Sequence, residues 1–144
     1  MHIIDCPGYY DSNGCYRMLG NAYFSYRAFS KIKNIKFCLT FRYTDLSGTA
    51  AKFVSTITTF IRTFKDFEKV KEHIFKATVF AFTRSPKNSS RDKIKEILVN
   101  LISPKFILTL NKTLYGYYIQ LIKNIIDNNK IFLFEIAEKD IPTP

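Results

Sequence analysis

Short apolar runs alternate along the chain with stretches in which apolar residues recur at every third or fourth position. The short runs predict β-strands, and the periodic stretches predict helices that bury one stripe. Strands are predicted at residues 2–4, 35–41, 77–82 and 131–136, and helices at about 16–32, from 49 to 64, between 89 and 103, and at about 113–126. This order predicts an α/β fold with an open, mostly parallel sheet and flanking helices.

Three segments illustrate the pattern. The helix after Thr49 is the clearest, because its apolar residues fall at steps of three and four. That stripe comprises Phe53, Ile57, Phe60, Ile61 and Phe64. The next helix is predicted to open at a capping box formed by Ser89 and Asp92. Residues 77–82 carry no charge, which is typical of a strand covered on both faces.

Composition indicates an ordinary globular protein. The 144 residues are 47% hydrophobic and 24% charged, so we expect a single domain over residues 1–144. No apolar run is long enough for a membrane span and the start lacks a leader pattern, which favours the cytoplasm. Three cysteines without metal-ligand spacing predict neither a disulfide framework nor a zinc site.

The chain is strongly basic, with 22 Lys and Arg against 12 Asp and Glu and a net charge of +10. Such a charge suits acidic partners. The basic residues are spread along the chain, however, and no run of like charge is present. Dispersed charge is more typical of a solvated surface than of a dedicated nucleic-acid patch.

Two predicted strands end in residues with binding chemistry. Asp5-Cys6-Pro7-Gly8 follows the first strand, and Thr83-Arg84-Ser85-Pro86 follows the third. An Asp at a strand end can hold hydrated Mg²⁺, and a nearby Gly lets a backbone N–H approach a phosphate. Because ligands bind beyond the carboxyl ends of parallel strands, the two ends together indicate a phosphate-containing ligand.

At these positions the chain resembles the P-loop GTPases, and in particular their septin-like and immunity-associated (AIG-type) branch. The segment from Ile3 to Asp11 is similar to the switch box D-x-P-G with its following aromatic residue and Asp. The segment Val79-Phe80-Ala81-Phe82-Thr83-Arg84 is similar to that branch's strand ending in Phe-Thr-Arg. Thr83 follows Gly8 by 75 residues, in the order of the family's boxes.

The resemblance implies roles for four residues. Asp5 would be the ligand of the Mg²⁺-bound water, and Gly8 the γ-phosphate contact and switch hinge. Thr83 would contact the purine edge and Arg84 would lie over the base, with GTP or GDP and Mg²⁺ as cofactors. The alternatives are a simple strand-ending turn for Asp5 and Gly8 and a solvated surface cation for Arg84.

The sequence also departs from that family. The GxxxxGK(S/T) cradle that would precede the switch box is missing, Pro86 stands where the guanine-reading Asp would be, and Tyr9 stands where many members carry the catalytic Gln. We therefore expect an incomplete P-loop NTPase-like G domain that lacks the first strand and the Walker A loop, and no catalytic residue. We expect one of three states: a fragment of a longer GTPase gene, a decayed copy, or a sheet re-closed with the first predicted strand beside the second.

The predicted function is guanine-nucleotide binding and switching in the full-length relative, with no hydrolysis by this chain alone. The alternative is a non-catalytic basic interaction module for RNA or an anionic membrane. A protein partner, or self-association through an exposed sheet, would follow from the missing strand. A small-molecule enzyme is not supported, since His2 and His73 are isolated and no nucleophile–base pair is evident.

Overall fold

The computed structural model describes Tyr23, Arg27 and residues 31–103 and 111–135. The chain divides into two compact units, residues 1–35 and 36–144. In the first unit, Tyr23, Arg27 and Lys31 are helical and exposed, and the Arg27 guanidinium carbon lies 6.0 Å from the centroid of the Tyr23 ring. These three residues agree with the predicted helix at 16–32. The strand predicted at residues 2–4 lies outside the described residues.

The second unit alternates strands and helices. Its described elements are β1 (Phe37–Arg42), α1 (Ala51–Arg62), α2 (Phe67–Ala77), β2 (Thr78–Ser85), α3 (Arg91–Leu101), α4 (Lys112–Asp127) and β3 (Ile131–Glu135), with a 3₁₀ turn at Tyr43–Leu46. The predicted α/β class is therefore confirmed. None of these described helices is long and apolar enough to cross a membrane.

The three described strands form one parallel sheet in the order β1-β2-β3. Phe41 of β1 pairs with Phe82 of β2, which pairs with Leu133 of β3. Paired residues of a parallel sheet point to the same face, so this row lies on one side of the sheet. The parallel sheet predicted from the order of elements is thus observed for these strands.

The core lies against that face, and all four described helices of this unit contribute buried residues to it. The ring of Phe53 in α1 is 4.7 Å from Phe41 and 5.9 Å from Phe80 between centroids. Near the other end of α1, Phe60 is 5.2 Å from Phe37, so α1 runs antiparallel to β1. The buried stripe predicted for this helix is confirmed. Its fully or nearly fully buried members are Phe53, Ile57, Phe60 and Ile61, and Phe64 is partly buried.

Helix α2 was not predicted from the sequence. It buries Phe67, Ile74 and Phe75, but charged residues fill most of the positions between them. Its docking depends on distant partners, because Phe67 packs on Tyr117 of α4 with the ring centroids 4.9 Å apart. A segment with a weak apolar stripe can still form a helix when packing against other elements stabilises it.

Helix α3 lies beside β3 and begins one residue later than its predicted capping box. The N-cap is Ser90, whose hydroxyl accepts from the backbone N–H of Lys93 at 3.2 Å. Ser89 was predicted to be the cap, and this is corrected by the observed bond. At the other end of α3, the carbonyl of Leu101 accepts from the Tyr118 hydroxyl at 3.4 Å, which ties α3 to α4.

The opposite face of the sheet is more open. Cys38 and Thr40 of β1 and Phe132 and Phe134 of β3 are exposed there. On the central strand, Ala81 is buried, whereas Val79 and Thr83 are only partly buried. The sequence predicted that both faces of this strand are buried. On the open face this holds for Ala81 but only in part for Val79 and Thr83.

Candidate functional site

The carboxyl ends of the three strands lie at one edge of the sheet because the strands are parallel. At this edge, Arg42 at the end of β1 pairs with Thr83 on β2. On the other side, the register of β2 with β3 is irregular between Phe82 and Ser85. The predicted site residues Thr83 and Arg84 therefore lie at this edge.

A bulge sits at the end of β2. Phe82 pairs with Leu133 and Ser85 pairs with Glu135, so Thr83 and Arg84 together face the single residue Phe134. Arg84 adopts a left-handed conformation with φ of 54°. Bulges of this kind redirect side chains and occur often beside binding sites.

Two hydroxyl groups hold the backbone around the bulge. The buried Ser85 hydroxyl donates to the carbonyl of Phe82 at 3.2 Å. The Thr83 hydroxyl donates across to the carbonyl of Phe41 on β1, also at 3.2 Å. Between these two bonds, Arg84 is exposed to solvent. The bulge is therefore tied to the strands while it presents a cation at the edge.

The hydroxyl of Thr83 retains acceptor capacity. Its proton is directed to Phe41, but a hydroxyl oxygen carries two lone pairs that can accept from a ligand N–H. Thr83 is partly buried, so only part of its side chain can be reached by a ligand. This arrangement suits an acceptor at the edge of a planar base more than it suits a donor.

The other half of the predicted site lies elsewhere in the chain. Asp5, the predicted metal ligand, and Gly8, the predicted phosphate contact, are outside the described residues. Of the four predicted site residues, the structure places Thr83 and Arg84 side by side. Over residues 31–103 and 111–135, no group of His, Cys, Asp and Glu side chains is arranged to hold a metal ion.

The loop after β2 leads directly into α3. The amine of Lys93 donates to the carbonyl of Asn88 at 3.0 Å and so closes the turn before the helix. The hydroxyl of Ser89 is buried and forms no hydrogen bond in the described part of the chain. Arg91, in the first turn of α3, lies with its guanidinium carbon 5.9 Å from the centroid of the Phe132 ring. The helix start therefore adds a cation beside β3.

Three further side chains at this edge were not identified from the sequence: Arg42, Arg91 and Phe134. No local signal marked Phe134, because the run Ile131-Phe132-Leu133-Phe134 is apolar at every position. Such a run is typical of a strand buried on both faces. Only the pairing of β3 with the bulged part of β2 brings Phe134 to the site.

A separate group of ionisable residues lies on α2 and α4. The amine of Lys71 is 2.6 Å from the carboxylate of Glu68. This bond, with a second one from Tyr117, holds the pKa of Glu68 below its usual value. Next to them, a hollow of about 220 Å³ is lined by residues of α1, α2 and α4 that include Phe67 and Tyr117. Glu68 is exposed, Lys71 and Tyr117 are partly buried, and the two charges are already paired with each other.

Comparison with protein-family models, with curated proteins and with solved structures found no match to this chain. The function is therefore inferred from the chemistry of the sheet edge and from the residues quoted above.

Proposed function

We propose that this chain is a nucleotide-binding α/β domain of the GTPase type, which binds a guanine nucleotide and does not hydrolyse it on its own. The observation that supports this is the bulge at Thr83 and Arg84 on the central strand of a parallel sheet. Ligands of open parallel sheets bind beyond the carboxyl edge, where this bulge is. The phosphate contact is proposed because Asp5–Gly8 is similar to a switch box.

In this proposal the base lies against the bulge. The planar guanidinium of Arg84 stacks on the base, and the oxygen of Thr83 accepts from a base N–H. An exposed cation–π contact contributes about 0.5–1 kcal/mol. Asp5 and Gly8 are proposed to contact the Mg²⁺-bound water and the terminal phosphate.

Two residues limit the proposal: one argues against hydrolysis and the other against strict selectivity for guanine. Tyr9 stands where the resemblance implies a Gln that orients water, and a phenol does not replace that carboxamide. Pro86 stands where a carboxylate would read guanine, so selectivity over adenine should be modest. Binding and selectivity are therefore the properties to measure.

Titration of the chain with a fluorescent (mant) GDP in the presence of Mg²⁺ tests the proposal. We expect saturable binding with a submillimolar Kd. Arg84→Ala should weaken it about two- to fivefold, as the loss of an exposed cation–π contact predicts. Asp5→Ala should remove the part of the affinity that depends on Mg²⁺.

Arg62→Ala is the matched control. Arg62 is exposed at the end of α1, which runs back from the carboxyl edge, and its replacement removes the same charge. It should leave the Kd unchanged. Absence of saturation below a millimolar concentration would refute the proposal, and so would equal losses in the Arg62 and Arg84 variants.

A further inference from the structure

The open face of the sheet carries two exposed phenylalanines on β3. The exposed fraction is 45% for Phe132 and 56% for Phe134. They are two positions apart on one strand and therefore lie on the same face. On the core face of the same sheet, Phe80 and Phe82 are fully buried. The two rings on the open face thus differ from the core phenylalanines in being available to a partner.

Small side chains lie next to one of these rings. Phe132 pairs with Ala81 on β2, and Ala81 pairs with Thr40 on β1, which is exposed. The side chains in this row are therefore large on β3 and small on β2 and β1. The row has one large apolar side chain, so it lacks the continuous apolar cover that a lipid-binding face needs.

Cations accompany the rings. The guanidinium of Arg91 lies over the ring of Phe132 at 5.9 Å from its centroid. Arg42 pairs with Thr83, and Arg84 lies in the bulge opposite Phe134. Acidic residues lie nearby as well: Glu135 at the end of β3 and Asp92 beside Arg91 are exposed, and Asp45 accepts the backbone N–H of Arg42 at 2.9 Å. With a net charge of +10 for the chain, the face is complementary to a polyanion that carries planar groups.

The spacing of the rings indicates which nucleic acid fits. Residues two apart on a strand are separated by about 6.6 Å, whereas successive bases in a stacked duplex strand are separated by about 3.4 Å. The two rings therefore suit bases that are unstacked and spread apart. Exposed aromatics on a sheet are a general way to bind such single strands.

We propose that the open face of the sheet is a binding site for single-stranded nucleic acid, with bases stacked on Phe132 and Phe134 and phosphates contacted by Arg91 and Arg42. This site does not use Asp5 or Gly8 and does not depend on the nucleotide proposal. The guanidinium of Arg91, which lies over the ring of Phe132 in the free chain, moves to a phosphate when a base stacks on that ring.

Fluorescence anisotropy with a labelled oligouridylate of about twelve nucleotides measures this binding. Phe132→Ala and Phe134→Ala should each weaken it about five- to hundredfold, the range found for single base–aromatic stacks. Arg91→Gln should weaken it and reduce the slope of log K against log salt by about one. Circular dichroism confirms that each variant is folded.

Two controls separate stacking from nonspecific attraction. Val99 on α3 is as exposed as Phe134, at 56%, and Val99→Ala should leave the affinity unchanged. Arg62→Gln removes one charge from the end of α1, and it should weaken binding less than Arg91→Gln does. Equal effects of the two arginine variants would show that dispersed charge alone holds the strand, and this would overturn the proposal.

Phe132→Leu and Phe134→Leu distinguish nucleic acid from other occupants, because leucine keeps the apolar side chain and removes the ring. If the face stacks bases, both variants also lose oligouridylate affinity, and Phe132→Leu, which lies outside the bulge, binds mant-GDP as the unmodified chain does. The proposal is overturned if they keep full oligonucleotide affinity. It is also overturned if no oligonucleotide binding can be measured while the face binds phosphatidylserine vesicles. The same holds if sedimentation shows that the face binds a second copy of the chain instead.

Discussion

The start of helix α3 offers a test in which two adjacent serines should behave differently. Ser90 has extended backbone angles and accepts the N–H of Lys93 at 3.2 Å, as an N-cap does. Ser89 immediately before it has a buried hydroxyl without a hydrogen bond in the described part of the chain. Replacement of each serine by alanine removes one oxygen, so that the pair is chemically matched.

Ser90→Ala should lower the free energy of unfolding by about 1 kcal/mol, the usual cost of losing a serine cap. The bond is at the long end of the normal range, so we do not expect the largest reported values. The effect should still be measurable because α3 buries Ile94, Leu98 and Leu101 and its fraying would expose them. Ser89→Ala should change stability by less than about 0.5 kcal/mol or increase it, since it removes an unpaired buried hydroxyl.

Urea unfolding followed by circular dichroism at a helix wavelength measures both variants. A loss of about 1 kcal/mol corresponds to a fall of about 0.5 M in the midpoint at an unchanged slope. Ser90→Asn keeps an acceptor at the cap and should stay close to the unmodified chain. If Ser89→Ala were the costly change and Ser90→Ala the neutral one, the capping box predicted from Ser89 and Asp92 would be correct and the structural assignment wrong.

Three further changes test other parts of the structure. Burial raises the pKa of Tyr118, so its hydroxyl loses its proton at a lower pH in the unfolded chain than in the folded chain. Stability should therefore fall as pH rises above about 10, and Tyr118→Phe should flatten this loss in urea titrations at several pH values. Lys130→Met should cost about 1–3 kcal/mol in the same assay, because the amine donates to the carbonyl of Phe75 at 2.8 Å and to the side-chain oxygen of Asn124 at 3.0 Å; a neutral result would contradict this. Arg84→Gly should raise the melting temperature, since glycine accepts the positive φ without strain, and should weaken mant-GDP binding as Arg84→Ala does; a lower melting temperature would show that the turn is not strained.

Local patterns predicted several elements correctly. The stripe from Phe53 to Ile61 specified the buried side of α1, and the buried residues of α4 follow the same periodicity. Both helices are long enough, and regular enough, for neighbouring residues to define the face. Helix α2 was missed, because its stabilisation comes from partners such as Tyr117 that are distant in the sequence.

Of the four site residues predicted from the sequence, the structure describes two. Thr83 and Arg84 were identified by a box at the end of a predicted strand, and the structure places them at the carboxyl edge of the sheet. Their bulge and the left-handed conformation of Arg84 were not predictable, since both depend on the register of β2 with β3. The roles of Asp5 and Gly8 stay predictions, because both lie outside the described residues.

The sequence by itself determined the alternation of strands and helices and the apolar side of each long helix, because those properties depend on residues that are near one another along the chain. Only the tertiary structure decided which face of the sheet the helices cover. Phe132 and Leu133 are both apolar, yet one is exposed and the other is packed against the core. The difference arises from the strand pairing, which fixes the direction of each side chain relative to helices formed by distant parts of the chain.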